Sequence, residues 1–451
     1  MLNEAVAHYH KLLEDYELAE SSRLALDEGL EGARLIFGGR RLTPYLRPHF
    51  VLESDWRRVV GVCETVWSAL QKVKDAAIGN DEILDELGIT DIEKDLVAID
   101  PKYAQVSPTA RLDSFLTDNS YSFVELNGES PAGIAYADSA TEIFASLPVM
   151  QKFAEKYDVR GFEGRPKMLD VLVRAHEEFL GHKPEKNPVI AIVDLKDLPT
   201  QQEFELFKDY FESQGYTSII CSPDELVFDG KKLLYKEVVV DIVYKRLLVN
   251  EYLPIIEAQP DLLNAYRAGA VCMVNSFRSK LVHKKAIFAV LTNERYAQLF
   301  NEAELNAIQA HIPWTRKFRD EQTENNGEKI DLVEWTRANK SKLVLKPNDD
   351  YGGHGIYIGW ASIDGEWDTA IKVALADGDY LVQERVQTSK ELFPMLDEAG
   401  NWQMIEQLVD LDPLLFNGVV GSAFTRLSSS ELANVSSGGG MVPTFIISEK
   451  R

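Results

Sequence analysis

The chain has 451 residues, 45% of them hydrophobic and 10% aromatic, enough for two or three domains with substantial cores. With 48 Lys and Arg against 72 Asp and Glu it carries a formal charge of −24, which disfavours non-specific nucleic-acid binding and attraction to an anionic membrane surface. Cys63, Cys221 and Cys272 lie far apart without metal-ligand spacing, and neither a long apolar run nor an export signal is evident, so the expected setting is a reducing cytoplasm with no membrane span.

In chain order, residues 3 to 35 and 55 to 77 show helical spacing, the second with Val59, Val60, Val62, Val66, Trp67 and Leu70 on an apolar stripe. Between them, Leu35 to Phe50 is punctuated by glycine and proline and reads as a loop, in which Arg40, Arg41 and Arg47 stand out as candidate anion contacts.

Ala110–Leu116 and Phe123–Gly133 follow. Each roughly alternates apolar and polar residues around polar Thr117–Ser120, which predicts a β-hairpin. Residues two apart on a strand share a face, so Glu125 and Asn127 point the same way, and Asp113 on the partner strand can join them. Two carboxylates and an amide oxygen are hard donors suited to Mg²⁺ carrying phosphate. A solvated hairpin with charges on its outer face would show the same pattern.

From Asn187 the pattern becomes strand, helix, strand over Val189–Val193, Gln201–Gln214 and Thr217–Cys221, one α/β unit. Glu237–Tyr244 adds an apolar strand ending in Lys245 and Arg246, which either face a cleft or end the strand in water. The loop Asp194–Thr200 lacks the glycine fingerprint of a dinucleotide site.

Ser341–Gly359 reads as a strand, a Gly-rich loop and a second strand, without the ending of a P-loop. Lys346 at the strand end can reach phosphate oxygens, while Gly352, Gly353 and Gly355 let backbone amides approach an anion. A glycine-rich hairpin turn is the plain alternative. The strand Asp379–Val386 offers a backbone edge to an adenine around Gln383, Glu384 and Val386, and Glu391 beyond it could accept from ribose hydroxyls.

Lys346-Pro347, the Gly-rich loop, Val382-Gln383-Glu384 and Glu125-Leu126-Asn127 together resemble the ATP-grasp ligases. Ala110–Phe115 with Glu125–Gly133 is similar to the metal segment of D-alanine:D-alanine ligases. Here that segment precedes Lys346, the reverse of the ordinary order, so the chain resembles the circularly permuted ATP-grasp group, which includes glutathionylspermidine synthase-like proteins and carboxylate-amine ligases. Val282–Val290 resembles the helix that brings a first phosphate-contacting lysine, with Lys285 the better match and Lys284 its rival. His311–Thr315 resembles the entry to the nucleotide subdomain, and Gly418–Ser428 with Asn434–Gly440 resembles the group's closing arginine element. Relatives often carry Asp-Leu-Arg-Pro where this chain has Asp410-Leu-Asp412-Pro, a departure that bears on the acyl-acceptor pocket.

The resemblance implies an α/β (α+β) fold: a helical region over 1–80, the metal-binding part of a permuted ATP-grasp domain over 81–150, an α/β pre-ATP-grasp domain over 151–270 and the nucleotide-binding part over 271–451. It implies ATP and two Mg²⁺ ions as cofactors, and a small-molecule carboxylate and amine of the amino acid or peptide class as substrates. The carboxylate would be phosphorylated and the acyl phosphate attacked by the amine, releasing ADP and phosphate. Asp113 and Glu125 would hold one ion and Glu125 and Asn127 the other. Lys285 and Lys346 would hold the phosphates beneath Gly352–Gly355, with Arg111 on the acyl phosphate and Arg426 on the transferring group. The competing readings are a non-catalytic nucleotide-binding scaffold of the same fold and a kinase acting on a hydroxyl. Arg40, Arg41, Arg47, Lys245 and Arg246 hint that one substrate is anionic. Nothing in the sequence signals an oligomeric state.

Overall fold

The N-terminal helical pattern divides at Asp15, whose carboxylate accepts from the amides of Glu17 and Leu18 and so starts a second helix, Tyr16–Gly32, after Leu2–Leu12. The computed structural model describes residues 1–37, 40–396, 402–431 and 439–450, the side chains of Ile36, Phe37, Arg40, Asp364 and Leu396 excepted. On the long helix Glu53–Ala77 the buried stripe is Trp56, Val59, Cys63, Val66, Trp67, Leu70 and Val73, while Val60 and Val62 lie to its side. The 3.6-residue period selects among the four valines.

The chain is a mixed α/β protein built on three principal sheets. Among the described residues the largest has eight strands, six along the path His49–Leu52, Gly440–Glu449, Val419–Ser428, Trp402–Phe416, Thr109–Leu116 and Tyr121–Asn127, with Ser389–Leu396 also paired to Trp402–Phe416 and Tyr157–Arg160 to Gly440–Glu449. All neighbours on this path are antiparallel except His49–Leu52, which runs parallel to Gly440–Glu449. The predicted hairpin is therefore an edge of a sheet whose remaining long strands come from the C-terminal end of the chain.

A second sheet is wholly parallel, in the order Cys272–Val274, Ile242–Lys245, Ile190–Val193, Ser218–Cys221. Every residue of Ile190–Val193 and Ile242–Lys245 is buried, as a parallel sheet covered by helices requires. The single strand predicted over Glu237–Tyr244 is two strands: Val238–Val240 joins a small antiparallel meander and Ile242–Lys245 the parallel sheet. The break falls at Asp241, whose carboxylate accepts from Val189 N at 2.9 Å. An acidic residue inside an apolar run was the available sign of it.

The third sheet is antiparallel, in the order Thr315–Lys317, Tyr380–Glu384, Leu343–Pro347, Tyr357–Ile358, and packs its apolar face on Trp367, Ala370, Ile371 and Ala374 of the helix Asp364–Asp377. No helix among the described residues is long and apolar enough to cross a membrane.

Candidate functional site

A cavity of about 520 Å³ lies where the three sheets meet, large enough for a nucleotide-sized ligand. One wall is the hairpin. Asp113 is paired across the strands with Glu125 and Arg111 with Asn127, so all four side chains leave the same face, and all four line the cavity. Buried Asn275, at the end of the parallel sheet, fixes the hairpin's base: its Nδ2 donates to Thr109 O at 2.8 Å and to Gly128 O and Glu129 O at 3.0 Å, and its Oδ1 accepts from Thr109 N.

Asp113 is almost wholly buried and held by two arginines. Arg111 grips it bidentately at 2.7 and 3.0 Å, Arg426 Nη2 reaches Oδ2 at 2.5 Å, and Asn127 Nδ2 donates to Oδ1 at 3.1 Å. Burial alone would raise the Asp113 pKa, but the two guanidinium groups outweigh it and bring it down to about 2. Arg426 also contacts Asp410 and Asp412, which alternate on the neighbouring strand and so share its face. Burial pushes Asp410 up to about 6 and Asp412 well above the usual carboxylate range, because one arginine serves three carboxylates. Asp412 thus joins an acidic cluster around Arg426. Asp410 was part of the quoted motif, but nothing in the local pattern marked it as a neighbour of Asp113.

The facing wall carries Lys346, while Lys284 and Lys285 lie behind the cavity lining. Lys346 Nζ donates to Gln383 Oε1 at 2.7 Å and to Val124 O at 3.2 Å, and burial lowers its pKa to about 8 against the pull of Glu125. Lys285 ion-pairs with Glu125 at 3.2 Å and donates to Asp350 O, whereas Lys284 is buried against Glu93 at 2.8 Å and Gly88 O at 2.6 Å. Lys285 is therefore the lysine directed at the hairpin carboxylates. The loop after Lys346 turns at Gly352, Gly353 and Gly355, with φ of +75°, +78° and +66°, conformations that side chains bearing a Cβ rarely adopt. Gly352 and Gly353 line the cavity; Gly355 instead sits against Tyr380 and Pro347.

Gln383, Glu384 and Val386 all line the cavity. The amides of Glu384 and Arg385 are bonded to Trp314 O and Lys342 O, while that of Val386 has no partner among the described residues and so offers a free donor at the strand's end. Beside it Arg385 stacks over Trp360 at 4.2 Å, a contact no sequence pattern announced. Glu391 is placed elsewhere: it pairs with buried Arg47 at 2.7 Å and lies 3.6 Å from His49, away from the cavity lining. The ribose contact expected of it therefore has an ion pair with Arg47 in its place in this structure. The Asn434–Gly438 part of the closing element, like Gly38 and Gly39, lies outside the described residues.

The expected anion contacts are already matched. Arg41 pairs with Asp27, Arg47 with Glu391, Lys245 with Glu129 and Arg246 with Glu203; the side chain of Arg40 is outside the described set. Glu203 also accepts from Gly133 N and Ala135 N, filling the N-terminus of the helix Ile134–Ser146 that follows the hairpin. Lys245 and Arg246 do lie at the end of a buried strand, but as partners of buried acids.

The donor set suits a hard cation in kind. Asn127 Oδ1 accepts no hydrogen bond, Glu125 is held only by Lys285, and Asp410 Oδ1 is buried without a partner, all among the described residues. Asp113, Asp410 and Asp412 each place an oxygen within 4.8 Å of the others. Mg²⁺ would be held by Glu125 and Asn127, with Asp113 available only as Arg111 and Arg426 yield its oxygens.

No protein-family model and no curated protein sequence matches the chain. Its structure is similar to that of a glutathione synthetase-like effector from Globodera pallida in apo form, with a TM-score of 0.62 at 15% identity over 95% of this chain and 96% of that one. A putative gamma-glutamylcysteine synthetase from Methylobacillus flagellatus KT overlaps 72% of this chain and 76% of that one, with a TM-score of 0.42 and 11% identity. D-alanyl-alanine synthetase A from Vibrio cholerae overlaps 50% of this chain and 67% of that one, with a TM-score of 0.26 and 10% identity. The mixed α/β fold is thus shared along nearly its whole length with the effector.

Proposed function

We propose that the chain is an ATP-dependent carboxylate-amine ligase with a circularly permuted ATP-grasp arrangement, acting through an acyl phosphate on small substrates of the amino acid or peptide class. The observation that carries this reading is the convergence on one cavity of Lys346, the left-handed glycines Gly352 and Gly353, and the face bearing Arg111, Asp113, Glu125 and Asn127. Phosphoryl transfer asks for positioning and charge neutralisation rather than covalent help, and these are the groups that supply both.

In this reading Gln383, Glu384 and Val386 border the adenine, with the free Val386 amide as the hydrogen-bond donor. Lys346 and Lys285 neutralise the phosphates, and the Gly352–Gly355 turn presents amides to them. Mg²⁺, two ions, would draw on Glu125 and Asn127 and, through rearrangement, Asp113, and would neutralise phosphate charge. Arg111 would steady the acyl phosphate, with Arg426, tethered by three aspartates, acting on the transferring group. The permuted reading is supported by the pairing of Leu411 with Ser114 and Leu414 with Arg111, by which a hairpin early in the chain completes a sheet made late in it. Three free, buried cysteines fit a reducing compartment.

The test is ADP release with Mg²⁺ and ATP across amino acids and short peptides, singly and in pairs. The ligase reading expects release that depends on a carboxylate and an amine together and falls at least about a hundredfold in Glu125→Gln. Release driven by a hydroxyl compound alone would make the protein a kinase. ATP binding equal in both proteins with no turnover would make it a nucleotide-binding scaffold.

A further inference from the structure

The cavity extends beyond the phosphate-binding features to the carboxyl ends of the parallel strands. There the strand order changes direction between Ile190–Val193 and Ile242–Lys245, since the chain steps outward to Ser218–Cys221 and then returns to the other side. Such a switch point leaves a crevice in which α/β sheets bind ligands. Asp194 follows the first of these strands and Arg246 the second, with Arg246 N bonded to Val193 O at 2.9 Å, so both reach the crevice and both line the cavity.

The charges here do not balance. Lys245, Arg246 and Lys280 are matched by Glu129, Glu203 and Asp349. Asp194 has no such partner: it is only 7% exposed, its Oδ1 accepts from Leu195 N at 2.8 Å, and its Oδ2 has neither hydrogen bond nor ion pair among the described residues. Burial lifts its pKa to about 7 against the Leu195 amide and the charges of Arg246 and Lys245, with Glu251, which also lines the cavity, adding to the rise. Glu251 accepts from the Tyr351 hydroxyl at 3.0 Å, so the same corner touches the Gly-rich loop. Leu198, Pro199 and Leu248 give the corner apolar walls.

We infer that this end of the cavity is the subsite for a substrate carrying a primary ammonium group, read by Asp194 with Glu251 beside it. An ammonium supplies the charge and the donors that a buried carboxylate lacks, whereas a polyanion would meet two carboxylates and no unmatched cation. The inference rests on the ligase reading and adds to it the place of the amine: the amino group of that substrate is held at the Asp194 end of the cavity, away from the hairpin carboxylates.

The experiment is calorimetric titration of the full chain, with Mg²⁺ and ATP present, using L-alanine, L-lysine, glycylglycine and putrescine, each against its N-acetyl counterpart. At least one free-amine probe binds about tenfold or more tightly than its acetylated form, and Asp194→Asn removes that preference while unfolding at no lower temperature than the parent. Equal binding of free and acetylated probes, a preference that survives in Asp194→Asn, or no binding by any free-amine probe overturns the subsite. ADP release separates the two ideas. Ammonium-selective binding without turnover sinks the ligase reading alone, and amine-dependent turnover whose KM for the amine is the same in Asp194→Asn as in the parent sinks the subsite alone.

Discussion

Arg426 Nη2 lies 2.5 Å from Asp113 Oδ2 across 313 positions of sequence, so the arginine that closes the C-terminal sheet is bonded to the buried carboxylate of the hairpin. The same guanidinium contacts Asp410 and Asp412, and its charge is what allows three carboxylates to share one buried place.

Replacing Arg426 by methionine should therefore cost about 3–5 kcal/mol at neutral pH, since it strands buried acids rather than one surface pair. The direction with pH follows from burial, which raises Asp410 to about 6 and Asp412 further. A carboxyl whose pKa is raised in the fold costs stability above that pKa and ceases to cost it once protonated. Urea unfolding of Arg426→Met should show the deficit shrinking from pH 7 to pH 5, and adding Asp412→Asn should recover part of it at pH 7. A deficit that does not change with pH would contradict the account.

Lys346 gives a second pH dependence with two readouts. Its pKa in the fold is about 8, below the ordinary 10.5, because burial outweighs the attraction of Glu125. Between those values the unfolded chain holds the extra proton, so this group makes stability rise with pH across that window. Phosphate binding runs the other way, because it needs the ammonium form. ATP affinity should fall as pH passes about 8 in the parent and stay flat in Lys346→Arg, whose guanidinium keeps its charge. The comparison is a nucleotide titration from pH 6.5 to 9.5.

The hairpin, the Gly-rich loop and the first α/β unit were legible because each is a local pattern: alternation over seven or eight residues, glycines at a turn, a buried run followed by an amphipathic helix. What was not legible is what depends on pairing at long range. Asp410 is significant only because its strand lies beside Arg426 and the hairpin, and Asn275 only because it bonds Thr109 and Gly128. Arg47 and Glu391 show the converse, since each looked like a ligand group in isolation and the fold spends one on the other.

The pairing of Glu391 with Arg47 is itself testable. Burial opposes its ionisation, but the hydrogen bond and charge of His49 and the charge of Arg47 bring its pKa down to about 2. A carboxylate held that low contributes stability above the unfolded value of 4.5 and loses it as pH falls toward 2. Glu391→Gln should be less stable by about 2–3 kcal/mol at pH 7, with the difference disappearing under strong acid. Its ATP affinity should match the parent's, whereas a ribose contact would weaken it.

Lys284 and Lys285 are adjacent in sequence but answer to different partners, which separates folding from ligand binding. Lys284 is buried between Glu93 and the carbonyl of Gly88, with Asp349 at 3.6 Å, so Lys284→Ala leaves acids without their cation and should cost about 3 kcal/mol or more. Lys285 faces Glu125 at 3.2 Å, within reach of the cavity wall that carries Asn127. Lys285→Ala should weaken Mg²⁺-dependent ATP binding about tenfold or more while costing less stability than its neighbour. Thermal unfolding and nucleotide titration of the two variants side by side give the answer. If Lys284→Ala loses nucleotide affinity at full stability while Lys285→Ala keeps it, the two assignments must be exchanged.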